Sequence, residues 1–272
     1  MLKIKSSIHN HCTFCDGTNT ADEMILSAIE AGFTDFGLSS HSPIECCPNG
    51  WSMKDEEGYK KEVFSLKKKY KDQIRVYCGI EVDYFSLPRE NAGYDYLIDS
   101  VHKLYVGGKY YGVDSSVPIF ETCINEGYGG DGYKMSKAYY ELVKRMIDEK
   151  NPKVVCHFDL VTKFNDGYKY FDETQKRYLD EVYSALDFAL EKDCIIEVNY
   201  GAIARKCKKT PYPASYLLGF LKEKKARLLI GADCHNKEYI KFGFNEGAEL
   251  LKAHGINSVT VFESGEYVEK GI

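Results

Sequence analysis

The chain has 272 residues, 44% hydrophobic and 28% charged, with a formal net charge of −5 at pH 7. That balance excludes a disordered tail, a collagen-like repeat and a membrane bundle, because no apolar run approaches the roughly 18 residues a spanning helix needs. Mild acidity argues against a partner made of nucleic-acid phosphates, and the opening Met1-Leu-Lys-Ile-Lys has no signal-peptide pattern, so the expected compartment is the cytoplasm.

In chain order, an apolar run predicts a first strand over 3–9. Thr20-Ala-Asp-Glu23 then forms a capping box ahead of a helix over 24–31, which Gly32 stops. Strands follow over 35–40, 75–82 and 96–101. From Gly107 to about residue 133 the rhythm breaks into a Gly- and Tyr-rich stretch without helical period. It reads as a long insertion over one mouth of the fold. Tyr139, Leu142, Val143, Met146 and Ile147 share one face of a helix ended by Pro152. After a strand over 153–156, Tyr178, Val182, Leu186 and Leu190 mark another helix. A strand over 194–199, a helix over 214–224, a strand over 227–232, a helix over 245–254 and a strand over 258–262 complete the chain. No repeat or low-complexity linker interrupts it, so one α/β domain over 1–272 is expected. About eight parallel strands, with no glycine fingerprint after the first, favour a barrel over a doubly wound sheet.

Ten cysteines are scattered at 12, 15, 46, 47, 78, 123, 156, 194, 207 and 234. Cys78, Cys156, Cys194 and Cys234 sit in strand-like runs, where a reduced thiol is a small hydrophobe. Cys12-Thr-Phe-Cys15 lacks the second pair of a zinc ribbon and does not open a helix as a redox motif would. The set reads as reduced structural thiols.

Six of the seven histidines fall at the C-terminal ends of predicted strands: His9 and His11, His41, His102, His157 and His235. In a parallel barrel those ends meet at one face. A single histidine there would read as a satisfied rim side chain, and His254 reads as a helix C-terminal residue. Six together would compete for partners unless a metal collects them. His9-x-His11 puts two rings on one side of a strand, and Asp233-x-His235 repeats that geometry. Glu81 and Asp16 stand at matching places, Glu81 as a bridging ligand, while Asp83 and Asp159 read as carboxylates that orient histidines. Two or three divalent ions held by only three carboxylates leave net positive charge, which suits a dianion such as phosphate. Mixed nitrogen and oxygen donors suit Zn, Mn or Fe.

Ile-His9-Asn-His11 with Asp16, Ser-Ser-His41, Gly-Ile-Glu81-Val-Asp, Ser-Val-His102, Cys-His157-Phe-Asp, Glu-Val-Asn199-Tyr-Gly and Gly-Ala-Asp233-Cys-His235 run the length of the chain. In these motifs it resembles the PHP (polymerase and histidinol phosphatase) metallohydrolases, and the text around His102 and from Asn199 to Pro213 resembles their histidinol-phosphatase branch. The resemblance implies a distorted (β/α)7 TIM-like barrel, one strand fewer than the eight read above, with three divalent ions at the C-terminal mouth. By motif the first takes His9, His11, Glu81 and Asp233, the second Asp16, His41 and His235, and the third Glu81, His102 and His157. It further implies hydrolysis of a small phosphate ester, L-histidinol phosphate, by a metal-bridging hydroxide attacking in line with the ester oxygen. Asp233 and His235 are candidates to meet the leaving alkoxide. Arg205 is a candidate phosphate clamp, with Asn199, Lys103 and Lys163 as further substrate contacts, and Asp114 or Glu121 could face the amino group. The alternatives are a nucleotide or phosphotyrosine substrate on the same barrel, or a non-catalytic metal-binding module. A polymer would want an open, basic mouth, and a degenerate module would have lost ligands. An amidohydrolase would want a modified lysine where Glu81 stands. No membrane or nucleic-acid partner is expected, and the sequence sets no oligomeric state.

Overall fold

Seven parallel strands stand side by side around a nearly closed barrel in the computed structural model, which describes residues 4–44, 46, 51–86 and 93–272. They are β1 (Ser6–Ser7), β2 (Asp35–Leu38), β3 (Arg75–Asp83), β4 (Tyr96–Ser100), β7 (Val154–Val155), β8 (Ile195–Asn199) and β9 (Leu228–Gly231), paired in that order. Ser6 pairs with Asp35, Phe36 with Val76, Gly79 with Tyr96, Asp99 with Val155, and Val198 with Ile230. The ring closes just beyond β1 and β9, where Asn10 and Cys234 form a parallel bridge. There His11 N donates to Cys234 O at 2.8 Å and Cys234 N to His9 O at 3.2 Å.

The strand period of two sorts the side chains. On β3, Val76, Cys78, Ile80 and Val82 join the outer core beneath the helices. Tyr77 joins Ile8, Tyr96, Ile98, Val154, Cys156, Ile195, Leu229 and Phe262 in a separate cluster that fills the barrel. Tyr96 crosses that interior and donates to Ile8 O at 2.6 Å. Its ring needs Gly37 and Gly79, since a Cβ at Gly79 would stand 2.1 Å from the Tyr96 ring. The capping box of α1 (Ala21–Ala31) forms as expected, with Gly32 left-handed at its end, and Met24, Ile25 and Ala28 are buried. The helices α4 (Gly132–Lys150), α5 (Lys176–Glu191) and α8 (Phe244–Ala253) match the expected ones closely. The segment over 214–224 starts as a single tight turn before α7 (Leu218–Glu223).

The segment over 258–262 is not a barrel strand. It forms β10 (Ser258–Glu263), which pairs antiparallel with β11 (Glu266–Gly271). This hairpin packs beside β1 and β9, where those two strands are too far apart to pair, and Ser6 Oγ donates to Phe262 O at 2.6 Å. The expected strand over 3–9 is in register only at Ser6–Ser7, and Lys3 lies outside the described residues. A further helix, α2 (Glu56–Lys69), was not expected, because its lysine-rich sequence buries only Tyr59, Val63 and Leu66. The stretch over 107–133 is more ordered than its composition implies. It holds most of an antiparallel hairpin, β5 (Lys103–Val106) and β6 (Lys109–Gly112), then α3 (Val117–Thr122) with Ser116 as its cap, and one wide helical turn over Cys123–Gly127. A short α6 (Gly201–Ala204) follows β8. The described cysteines are free thiols, and Cys47 lies outside them.

Candidate metal centre

His9 and His11 leave β1 on either side of the closing bridge, which fixes both rings toward the barrel axis. Four donor atoms converge there. His9 Nε2 lies 3.3 Å from Glu81 Oε2 and 3.5 Å from Asp233 Oδ1, and His11 Nε2 lies 3.5 and 3.3 Å from the same atoms. A tetrahedral ion with ligands at about 2.0–2.1 Å has edges of about 3.3–3.4 Å, the spacing seen here. His9 Nε2, His11 Nε2 and Glu81 Oε2 are buried without a hydrogen-bond partner. Buried polar atoms left unsatisfied are costly, so three of them facing one another fit a cation.

The other predicted donors are adjacent. His235 Nε2 is 3.2 Å, and His41 Nε2 3.6 Å, from Asp16 Oδ1, and His11 offers a donor to the same group. The second carboxylate oxygen of Glu81 faces His157 Nε2 at 3.0 Å and His102 Nε2 at 3.3 Å. Glu81 therefore stands between all three groups, as a bridging ligand must. All nine residues predicted as metal ligands come together at one mouth.

The electrostatics follow from burial and crowding. Burial alone would push the Glu81 carboxyl up, but the imidazoles of His41, His9 and His102 outweigh it and hold it well below the usual range. For Asp233, Arg205 and His9 do the same against burial. Burial and the neighbouring His235 and His41 push His11 well down, which keeps its ring neutral and able to ligate.

Around these donors lies a layer of partners. Asp83 Oδ2 accepts from the His102 backbone N–H at 3.0 Å and faces ring Nδ1 at 3.2 Å, the orienting role expected of it. Trp51 packs edge-on against His41 and close to His102, at 4.2 and 4.9 Å between ring centroids. Cys15 Sγ lies 3.5 Å from His11 Nδ1, so the second thiol of the Cys12–Cys15 pair touches a ligand ring. Glu197 was missed by the sequence reading. It is 1% exposed and faces His9 Nδ1 at 2.6 Å. Its signal was an acid at an inward position of the apolar run Ile-Ile-Glu197-Val-Asn.

Several expected roles change. Asp159 does not orient a histidine: one oxygen accepts from Ala214 N at 2.9 Å, the other is buried without a partner, and burial pushes the carboxyl up to about 7. Asn199 does not face the mouth. Its amide donates to Glu197 Oε2 at 2.9 Å and accepts from Gly201 N at 2.9 Å, so both ends are used inside the protein. The Lys103 ammonium sits 4.5 Å over the Trp51 ring and is not among the residues lining the cavity over the donors. Glu121 pairs with Lys169 and Tyr170 away from the centre. Asp233 directs one oxygen at His9 and His11 and the other at Arg205, so both oxygens are already engaged. His235 Nδ1 lies against Asp233 O, with Nε2 turned to Asp16.

What remains open is a cavity of about 270 Å³ over the donors, whose lining includes Trp51, Asp114, Lys163, Arg205, Asp233 and His235. Lys163 Nζ donates to Asp114 O at 2.8 Å and stands 3.5 Å from its carboxylate. Arg205 Nη1 and Nη2 donate to Asp233 O and Oδ2 at 2.9 and 3.1 Å, and its side chain stays one-third exposed to the cavity. The segment after β6 thus reaches the mouth through Asp114 and Ser115. A centre of this kind can concentrate cationic charge beside a small polar pocket that carries both signs.

Comparison with known proteins gives the same picture. The chain is 26% identical over 281 residues to a protein named "Probable histidinol-phosphatase" of Schizosaccharomyces pombe, covering 95% of this chain and 90% of that one. It is 25% identical over 260 residues to the histidinol-phosphatase of Bacillus subtilis, covering 87% and 95%. Its fold is similar to a crystal structure of histidinol phosphate phosphatase from Lactococcus lactis in complex with zinc, L-histidinol and phosphate, with a TM-score of 0.69, 19% identity and coverage of 98% and 100%. The family model of the PHP domain matches residues 7–200, most of the barrel and seven of the nine converging side chains. By that match the chain belongs to the PHP domain family.

Proposed function

We propose that this chain is a metal-dependent phosphomonoesterase that hydrolyses L-histidinol phosphate to L-histidinol and phosphate. The observation that carries the reading is the meeting of nine imidazole and carboxylate side chains at one mouth, with unsatisfied donor atoms 3.3–3.5 Å apart. The relatives named histidinol-phosphatase along nearly the whole chain support the substrate. Three divalent ions, Zn, Mn or Fe, fit the donor set: His9, His11, Glu81 and Asp233 hold the first, Asp16, His41 and His235 the second, and Glu81, His102 and His157 the third. When bound, such ions polarise phosphoryl oxygens and make hydroxide available at neutral pH.

The chain's own residues do the rest. Arg205 is anchored by Nη1 on Asp233 O and His235 Nδ1 and by Nη2 on Asp233 Oδ2, which leaves its Nε–H and the second Nη2–H for a phosphate oxygen. Lys163 lines the same cavity paired with Asp114, so the two exchange partners when a phosphate and an ammonium enter. Asp114 supplies the carboxylate that a substrate ammonium requires, in place of Glu121. The cavity's modest volume suits a small ester better than a polymer, which weighs against nucleotide chains and phosphotyrosyl proteins. The chain acts as one catalytic unit over 1–272, because Asp233 and His235, just beyond β9, complete the donor groups that His9, His11 and Asp16 begin.

The test is phosphate release by zinc- or manganese-loaded protein from L-histidinol phosphate, phosphotyrosine and a dinucleotide. Histidinol phosphate should be cleaved far faster than the others, and His11→Asn should lose both metal and activity. Comparable rates on all three substrates would remove the substrate assignment, and an active His11→Asn protein lacking metal would remove the site.

A further inference from the structure

One buried carboxylate ties together His9, the His157 main chain and Asn199, which come from three different strand ends. Glu197 lies on the inward face of β8 and is 1% exposed. Its Oε1 receives the Nδ1 side of the His9 ring at 2.6 Å, and its Oε2 accepts from the His157 backbone N–H at 3.1 Å and from Asn199 Nδ2 at 2.9 Å. Gly231, on the neighbouring β9 in register with Asn199, leaves room for this carboxylate, since a Cβ there would collide with Glu197 Oε1. His157 has φ of +26°, a conformation that costs a non-glycine residue free energy and persists only when its surroundings hold it. Asn199 in turn accepts from Gly201 N, at the start of the short helix that leads to Arg205.

We infer that Glu197 is a positioning residue that fixes His9 as the Nδ1–H tautomer, with its Nε2 lone pair toward the first ion, and holds His157 in its strained backbone turn beside the third. The inference rests on the metal-centre reading above. A carboxylate is needed for it, since Glu197 accepts every hydrogen bond it makes. Gln at this position has one acceptor and one donor. With its oxygen toward His157 N and Asn199 Nδ2, its NH₂ would face His9 Nδ1 and move the ring proton to Nε2, where it blocks ligation. Turned over, its NH₂ would confront two donors. Either orientation breaks one of the arms, whereas the side chain's size is unchanged.

Glu197→Gln should therefore bind its tightest zinc 10- to 100-fold more weakly in competition with a chromophoric chelator, the loss usual when a partner of a metal ligand is removed. Excess zinc should recover kcat, and the melting temperature of the metal-free protein should stay near that of the parent. A variant with unchanged zinc affinity and count would overturn the inference. Equal lowering of melting temperature with and without metal, at unchanged affinity, would assign Glu197 a structural role only and overturn it too. Should the variant fail to fold, the zinc-loaded parent still decides. Long-range ¹H–¹⁵N spectra should show His9, identified by its absence in His9→Asn, protonated at Nδ1, and a proton on Nε2 would sink the proposal. Failure of the parent itself to bind zinc would instead refute the metal centre.

Discussion

Asp83 uses a single carboxylate oxygen to hold both the main chain and the ring of His102, at 3.0 and 3.2 Å. Its other oxygen accepts from Phe85 N at 2.8 Å, which anchors the carboxylate at the end of β3. Asp83→Ala should free the His102 ring to rotate, lower the count of bound ions by one and reduce kcat by about 10- to 100-fold. Metal analysis alongside phosphate release checks this. Full metal content with full activity would show that His102 needs no such partner.

Arg205 makes its contacts through a planar fork, Nη1 donating to Asp233 O and toward His235 Nδ1, and Nη2 to Asp233 Oδ2. A lysine keeps the charge but loses the fork. Arg205→Lys should raise KM for histidinol phosphate and lower kcat/KM by about 10- to 100-fold, the equivalent of one or two charged hydrogen bonds. Steady-state kinetics measure it, and an unchanged KM would place Arg205 outside the substrate's reach.

Removing the ions should soften the protein. At a metal concentration about a thousand times the dissociation constant, binding adds about 4 kcal/mol. For a chain of this length that corresponds to about ten degrees of melting temperature. Calorimetry before and after dialysis against a chelator should show a fall of that order, reversed by zinc, while an identical melting curve in both states would contradict the site.

Asp99 lies on β4, 4% exposed, and burial pushes its carboxyl up to about 7 despite the attraction of Lys150. The unfolded chain titrates near 3.9. Between about pH 4 and 7 the folded protein keeps a proton that the unfolded chain has released, so stability falls as pH rises through this window and stays low above it. Asp99→Asn removes the charge and should raise the melting temperature more at pH 8 than at pH 5. Thermal scans at both values test it, and an equal shift at the two would refute the burial argument.

Much of this centre is readable in the sequence because barrel geometry turns scattered letters into neighbours. His41, Glu81, His102 and His157 need only be strand ends to meet. What escaped has local causes. Helix α2 hides its three buried residues among lysines, and β10 has the apolar look of a barrel strand although its partner β11 is largely exposed. The order around α3 comes from a serine cap and from Phe120, which packs against Phe164 and Tyr170, and composition does not reveal either. Glu197 sits inside an apolar run, and its purpose appears only when His9 and His157, 188 and 40 residues distant, are brought to it. Asp159 and Asn199 stand at the right strand ends but turn their polar atoms inward.

The closing bridge between Asn10 and Cys234 gives the molecule a strict order of assembly. Donors on both sides of that bridge are contributed by opposite extremes of the polypeptide, so the first and second donor groups are complete only once the residues just beyond the ninth strand are made. A ribosome-bound fragment halted at residue 220 would carry His9, His11 and Glu81 yet lack Asp233, the fourth donor of their group. The seam that shuts the cylinder thus also completes two of the three donor groups, while Glu81, His102 and His157 are already together before it forms.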